Sequence, residues 1–279
     1  MPAPRTESSE LSDTSDQENR DFVRALARGL SVIESFEESQ HPLTLSEIAT
    51  RAGLSRGTVR RSLITLKTLG YLSEDRGRFA LTPRILRLGY AHLSSQPVWL
   101  LAQPRMAALS KEVNETVSLA VLDDGMIVYL LRITAPRLLH NQVSIGSRLP
   151  AYPASMGRVL LAGLSEKDFE HYLRRTELRQ LTPFTVIDPE RLRRLVKQAR
   201  DDGFAVNDQE MEVGLRSIAV PIKGVGGITV AALNISASAA RISNVEMQSS
   251  LLSALRATAS QISDQLVHSG IGSMPTRFT

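Results

Sequence analysis

The segment Leu43–Phe79, LTLSEIATRAGLSRGTVRRSLITLKTLGYLSEDRGRF, leaves its part of the chain little freedom. The pattern predicts a short helix over Ser46–Arg51, a turn centred on Gly53, a second helix opened by Ser55, and a hairpin with Arg76-Gly77 at its tip. Ser46 and Ser55 are suitable N-caps because a hydroxyl can accept an otherwise unpaired N–H of the first turn. Gly53 supplies the backbone freedom for a steep helix–helix turn. On a helix starting at Ser55, Val59, Leu63 and Leu66 fall within roughly 60° of one another and form a core-facing stripe. Gly70 ends that helix as a C′ residue and Tyr71-Leu72 begins the hairpin. These features predict a winged helix-turn-helix, whose second helix enters the DNA major groove.

Charge supports that reading. Arg60 and Arg61 project about 90° and about 170° from the centre of the apolar stripe, and Arg56 and Thr58 occupy the first turn, the part of a recognition helix that reaches base edges. Between Arg20 and Gly89 the excess of Lys/Arg over Asp/Glu is +5, whereas the entire chain carries only +4. The basic excess therefore sits where phosphates would be bound, which argues against a merely solvated helix face. Thr44, Ser55, Arg56, Thr58, Arg60, Arg61, and Arg76 and Arg78 on the wing are the candidate DNA-binding residues.

The 279 residues suffice for two domains with their own cores, and the absence of cysteine excludes disulfides, thiolate nucleophiles and Cys-containing zinc sites. No run approaches the ~18 apolar residues of a membrane span, and the N-terminus has no apolar signal core. A cytoplasmic protein without membrane partner or cofactor is expected. Residues 1–19 are polar and aperiodic and read as a disordered tail, with a second tail over 269–279. Phe22, Leu26, Leu30 and Ile33 recur at helical spacing, predicting a helix that packs behind the motif. The winged domain is assigned to 20–82. A linker helix over 83–96 follows, with Pro83 at its start and more apolar surface than a lone linker should expose.

From 97 to 268 the pattern changes. A helix to about Asn114 precedes strands over Thr116–Leu122 and Met126–Ile133, joined by the turn Asp123-Asp124-Gly125. A third strand is expected around Leu139–Ile145, with helices near Ala154–Gly163, Glu166–Arg174 and Asp188–Asp202. Further strands are expected over Ala205–Asp208, Ser217–Ile222 and Gly227–Ser236, and a final helix over Asn244–His268. This is an α+β domain with an antiparallel sheet, of the GAF/PAS-like sensor type.

Several strings resemble the IclR family of bacterial transcriptional regulators: ALARGLSVIE at Ala25–Glu34, the helix-turn-helix, LPAYPASMGRVLLA at Leu149–Ala162, GFAVNDQEMEVGLRSIAVPI at Gly203–Ile222 and AALNIS at Ala231–Ser236. Leu81–Ser95 and the ASMGRV string resemble its subgroup governing protocatechuate, 4-hydroxybenzoate and β-ketoadipate catabolism. The resemblance covers about Arg24 to Leu266. It implies a homodimer or dimer of dimers on double-stranded palindromic operator DNA, and a small organic acid as effector.

Pro153–Gly157 opens a helix whose N-terminus could receive an anion. The local sequence alone reads more simply as a capped helix; the resemblance makes it one wall of the effector pocket. By the same resemblance Ala154, Ser155, Met156, Gly157, Asn207, Leu215, Ser217, Asn234 and Ser236 are the candidate effector-binding residues. Asn207 stands where the family motif often has Asp. Met126, Tyr129, Leu131 and Leu215 are candidates to flank a ring, each more simply read as core, and Arg148 is a candidate charge partner, more simply read as a surface arginine. Two competing readings are a ligand-independent repressor and an esterase-like enzyme using Ser155. The latter lacks the first glycine of G-x-S-x-G, the five histidines offer no H-E-x-x-H spacing, and Lys223–Gly227 reads as a hairpin turn rather than a phosphate loop.

Overall fold

Local signals set the first helices. In the computed structural model, which describes residues 22–37, 39, 41–89, 97–135 and 143–269, the chain divides into two compact units, Met1–His92 and Leu93–Thr279. The two terminal tails, the linker beyond residue 89 and residues 139–142 of the expected third strand lie outside the described residues.

In the first unit α1 spans Arg24–Glu34, β1 Leu43–Thr44, α2 Leu45–Ala52, α3 Arg56–Thr68, β2 Leu72–Asp75 and β3 Arg78–Leu81. The cap of α2 is Thr44 rather than Ser46. Its hydroxyl accepts from Glu47 N–H at 3.4 Å, while the Glu47 carboxylate accepts from Thr44 N–H at 2.7 Å. This reciprocal box uses the glutamate three residues on, a partner Ser46 does not have. Ser55 caps α3 as expected. Gly53, at φ +63°, closes α2 in the left-handed region that glycine enters without a Cβ clash. Gly70 closes α3 in a Schellman motif, with Tyr71 N–H on Leu66 O and Gly70 N–H on Lys67 O.

Val59, Leu63 and Leu66 are buried with Val32, Leu43, Ile48, Ala49, Leu72 and Phe79, forming the core of the unit. Strand order β1-β3-β2, with Thr44 opposite Arg78, ties the wing to the start of α2. Helix α1 forms and packs against the motif as expected, but only one end of its apolar stripe makes the contact. Phe22, Leu26 and Leu30 are 59%, 63% and 48% exposed, and Val32 with Ile33 makes the contact with the core. Periodicity marks an apolar stripe but not which part of it finds a partner. Thr82 caps a short 3₁₀ turn at Pro83–Ile85, and residues 86–89 are helical.

The second unit contains α4 (Pro97–Val113), β4 (Thr116–Asp123), β5 (Met126–Ile133), β6 (Arg148–Pro150), α5 (Ser155–Ala162), α6 (Glu166–Arg175), α7 (Pro189–Asp202), β7 (Ala205–Asp208), β8 (Leu215–Lys223), β9 (Thr229–Ser238) and α8 (Leu252–His268). All strand pairings are antiparallel in the order β6-β5-β4-β9-β8-β7. The β4–β5 turn places Asp124 and Gly125 at φ +44° and +75°, the double positive of a type I′ turn. Residues 143–145 of the expected third strand are not in a strand, and β6 is the strand that pairs with β5 on the side away from β4. Ser144 and Ser147 close a turn through Gly146 before the chain pairs with β5. The last helix is also less regular than expected: a Ser243/Glu246 capping box opens a short turn at Asn244–Glu246, and a π-helical stretch, Met247–Leu251, precedes α8.

Both faces of the sheet are covered. Val117, Leu119, Leu131, Ile218, Leu233 and Ile235 pack with α4 and α8. Ala120, Tyr129, Ala205, Ala219 and Ala232 pack with α5 and α7. Leu131, one of the ring-flanking candidates, lies in the core of the first of these faces, as its simpler reading has it. Met126 alternates with Ile127 and Tyr129 and also leaves the second face.

Every residue of α5 is buried. A Cβ on Gly157 would lie 1.9 Å from Ala151 O, so this glycine exists for backbone contact. Gly157→Ala should destabilise the second unit by about 3 kcal/mol or more. Gly57→Ala, whose Cβ would meet nothing within 4 Å, should be neutral or stabilise by up to about 1 kcal/mol. Urea unfolding of the two variants checks the contrast.

Candidate functional site

Two surfaces gather the candidate residues, one in each unit. On the first, Arg56, Arg60 and Arg61 are exposed along α3 and Arg76 is exposed at the wing tip. None of the four has an ion-pair partner among the described residues. Arg76 is held at φ +48° beside Gly77. The other four candidates already serve the fold. Thr44 caps α2, Ser55 caps α3 and shares a 3.0 Å hydroxyl bond with half-buried Thr58, and Arg78 donates to Pro42 O at 3.1 Å. The backbone hydrogen bond from Thr44, and then its hydroxyl, hold the Glu47 carboxyl below its ordinary value. This surface thus carries four guanidiniums without an ion-pair partner among the described residues, on a scaffold fixed by hydroxyl caps.

The second surface lies under α5. Ala154, the N-cap, offers no side-chain hydrogen bond, so the first-turn N–H groups of a buried helix lack the oxygen that caps α2, α3, α6 and α7. The sheet beneath presents short polar side chains in register. Asn207 pairs with Ser217 and Ser217 with Ser236, while Asn234 pairs with Ser118. Ser155 Oγ lies 2.8 Å from Ser217 Oγ. Asn234 accepts from Ser118 N–H at 3.2 Å and donates to Ser236 Oγ at 3.1 Å. Leu215 is half-buried at the start of β8. Met156 is 1% exposed and packs in the core.

Asn207 is committed to the protein itself. Its amide donates to Pro153 O and its oxygen accepts from Glu210 N–H at 3.2 Å. It thereby fixes the entry to α5 rather than extending a free polar group. Arg148, a candidate charge partner more simply read as a surface arginine, pairs with Asp123 at the surface. Among the described residues no histidine or carboxylate hydrogen-bonds Ser155, so this serine has no base.

Three groups escaped the sequence reading. Arg158, 2% exposed, donates to Glu210 Oε2 at 2.6 Å, to Tyr152 O at 3.1 Å and to Val206 O at 3.3 Å. The same Glu210 oxygen accepts from Val186 N–H at 3.0 Å. A charged residue inside the apolar string SMGRVLLA was the available signal. Ser118 and Arg132, opposite one another across β4 and β5, are the others. Burial lowers the Arg132 pKa and raises that of Tyr129 on the same strand.

Removing one member of a buried pair leaves a desolvated charge behind. Glu210→Ala should lower stability by about 3–5 kcal/mol, and Glu210→Gln, which keeps an acceptor for Val186 N–H, should lose less. Thermal unfolding of the two variants tests this order.

Comparison with known proteins bears on both surfaces. Residues 25–76 match the IclR helix-turn-helix domain, and residues 90–264 match the bacterial transcriptional regulator IclR C-terminal domain. The Pca regulon regulatory protein of Pseudomonas putida is 42% identical over 247 residues, 88% of this chain and 85% of that protein. The p-hydroxybenzoate hydroxylase transcriptional activator of Acinetobacter baylyi is 34% identical, covering 87% of this chain and 91% of its own. An IclR homologue from Microbacterium hydrocarbonoxydans, solved in complex with 4-hydroxybenzoate, superposes with a TM-score of 0.77 at 29% identity, covering 87% of this chain and 98% of that one.

Proposed function

Because the chain belongs to the IclR family of bacterial transcriptional regulators, we propose that it binds a palindromic operator as a homodimer or dimer of dimers, and that a small aromatic or β-keto acid held beneath α5 controls that binding. The coarser role, an IclR-type transcriptional regulator with relatives in aromatic-acid catabolism, follows from family membership. The finer one rests chiefly on a single observation: the buried N-terminus of α5 has no side-chain cap.

Such an end carries unpaired N–H groups and the positive pole of the helix dipole, and each favours an anionic oxygen. Below it, Ser155, Ser217, Asn234 and Ser236 supply neutral donors and acceptors for hydroxyl, keto or carboxylate oxygens, and Tyr129 supplies an aromatic wall. Asn207 acts here by positioning Pro153 and the α5 entry. The relative solved with 4-hydroxybenzoate supports the ligand class. An effector shifts operator affinity only by its differential affinity for the two DNA-binding geometries.

On the DNA side Arg60 reads bases, and Arg56, Arg61 and Arg76 contact bases or phosphates. Arg60→Ala should reduce specific operator affinity by about 1–3 kcal/mol while leaving thermal unfolding unchanged; undiminished footprinting by that variant would remove α3 from base recognition. For the effector, a thermal-shift panel of protocatechuate, 4-hydroxybenzoate and β-ketoadipate on the full chain is the direct test. A ligand at a hundred times its Kd should stabilise by about 2.7 kcal/mol, a shift of several degrees.

A further inference from the structure

We infer that Arg132 and Ser118 form the carboxylate anchor of the effector site, so that the ligand is an elongated acid whose carboxylate sits over β4 and β5 and whose second oxygen function reaches the α5 N-terminus. This rests on the effector reading above and adds the residues that would bind the charged end.

The placement comes from register. Arg132 on β5 is directly opposite Ser118 on β4, and Ser118 is directly opposite Asn234 on β9. Alternation along β4 puts Ser118 on the same face as Ala120, the face covered by α5 and α7. Arg132 therefore belongs to the polar row that includes Asn234, next to the row holding Ser217 and Ser236.

Two independent observations mark this end as unfinished. Ser118 is 1% exposed, and its Oγ has no hydrogen-bond partner. A buried hydroxyl without a partner is destabilising, and most such groups in folded proteins are satisfied. Beside it, Arg132 is only partly exposed, and among the described residues no carboxylate pairs with it. Arg158, the buried guanidinium on α5, has by contrast Glu210 and two carbonyls. Burial without an anion disfavours the charged form of Arg132. A bound carboxylate would satisfy the guanidinium in a forked pair and accept from the Ser118 hydroxyl.

The span selects ligand shape. Ser118 and Ser217 are two strands apart, about 10 Å across the sheet. A ring bearing a carboxylate and an opposite hydroxyl, or a short chain with a carboxylate at one end and a keto or carboxylate oxygen at the other, bridges two such side chains. A compact acid cannot reach both.

The test is calorimetric, on the full chain, with 4-hydroxybenzoate, protocatechuate and β-ketoadipate, and with the neutral primary amides of the two aromatic acids. Wild-type protein should prefer acid to amide. Arg132→Met should weaken acid binding about 10- to 100-fold and leave amide binding near its wild-type value. Arg132→Lys should recover part of the loss, and Ser118→Ala should weaken the acid by a smaller factor. Wild-type acid affinity in Arg132→Met, or equal loss of acid and amide, overturns the anchor while leaving the effector reading intact. If Arg132→Met does not fold, Arg132→Lys and Ser118→Ala carry the test, and unchanged acid affinity in both overturns it. Failure of the wild-type protein to bind any of the three acids overturns the effector reading and the anchor together.

Discussion

A guanidinium almost fully withdrawn from water needs fixed partners, and Arg158 has three of them. Glu210, Tyr152 O and Val206 O surround it, and Val186 N–H holds the Glu210 oxygen from behind. This pair lies at the middle of α5 and reaches the end of β7, so it sets how the helix sits on the sheet. Asn207 adds the second clamp by bonding Pro153 O and Glu210 N–H. Gly157, by letting Ala151 backbone touch the helix, adds the third. These three contacts position the α5 N-terminus, which Ala154 leaves uncapped, above the polar rows. Without them α5 would have no defined height over Ser217 and Asn234.

Such preorganisation matters because the helix end and the short polar side chains can favour one ligand geometry only if they do not relax. The sheet supplies the rest of the stiffness, being covered on both faces by apolar side chains. The DNA-binding unit follows the same logic on a smaller scale. Hydroxyl caps, the left-handed glycines Gly53 and Gly70 and a nine-residue core fix α3, and its arginines Arg56, Arg60 and Arg61 have no ion-pair partner among the described residues. In both units the groups that hold the fold are separate from the groups left unpaired.

That separation explains what could be read from the chain. The α2–α3 motif, its turn, its stripe and the wing were legible because each is decided within a few residues. The hairpin at Asp124-Gly125 and the helices α5 to α7 were legible for the same reason. Thr44 displaced Ser46 because a capping box needs its glutamate three residues later, a detail of pairing rather than of type. The stripe of α1 was visible, but Phe22, Leu26 and Leu30 have no neighbour in the core, which periodicity cannot report. The candidate site was legible only in part. Ser155 and Ser217 meet as expected, whereas Asn207 is consumed by backbone and Arg148 by Asp123. Arg158, Ser118 and Arg132 were missed because their placement depends on strand register and on contacts such as those 52 and 116 residues apart in sequence, beyond the reach of local pattern.

In the proposed function, one molecule couples an acid site to a DNA site. Binding coupling is reciprocal, so it can be measured from either direction. The decisive measurement is the affinity of the full-length protein for an operator fragment, selected from random DNA by the protein itself, with and without saturating 4-hydroxybenzoate, together with 4-hydroxybenzoate affinity with and without that fragment. The account predicts that both affinities change by one common factor, about 5- to 150-fold. An acid that binds tightly while operator affinity stays the same would contradict it.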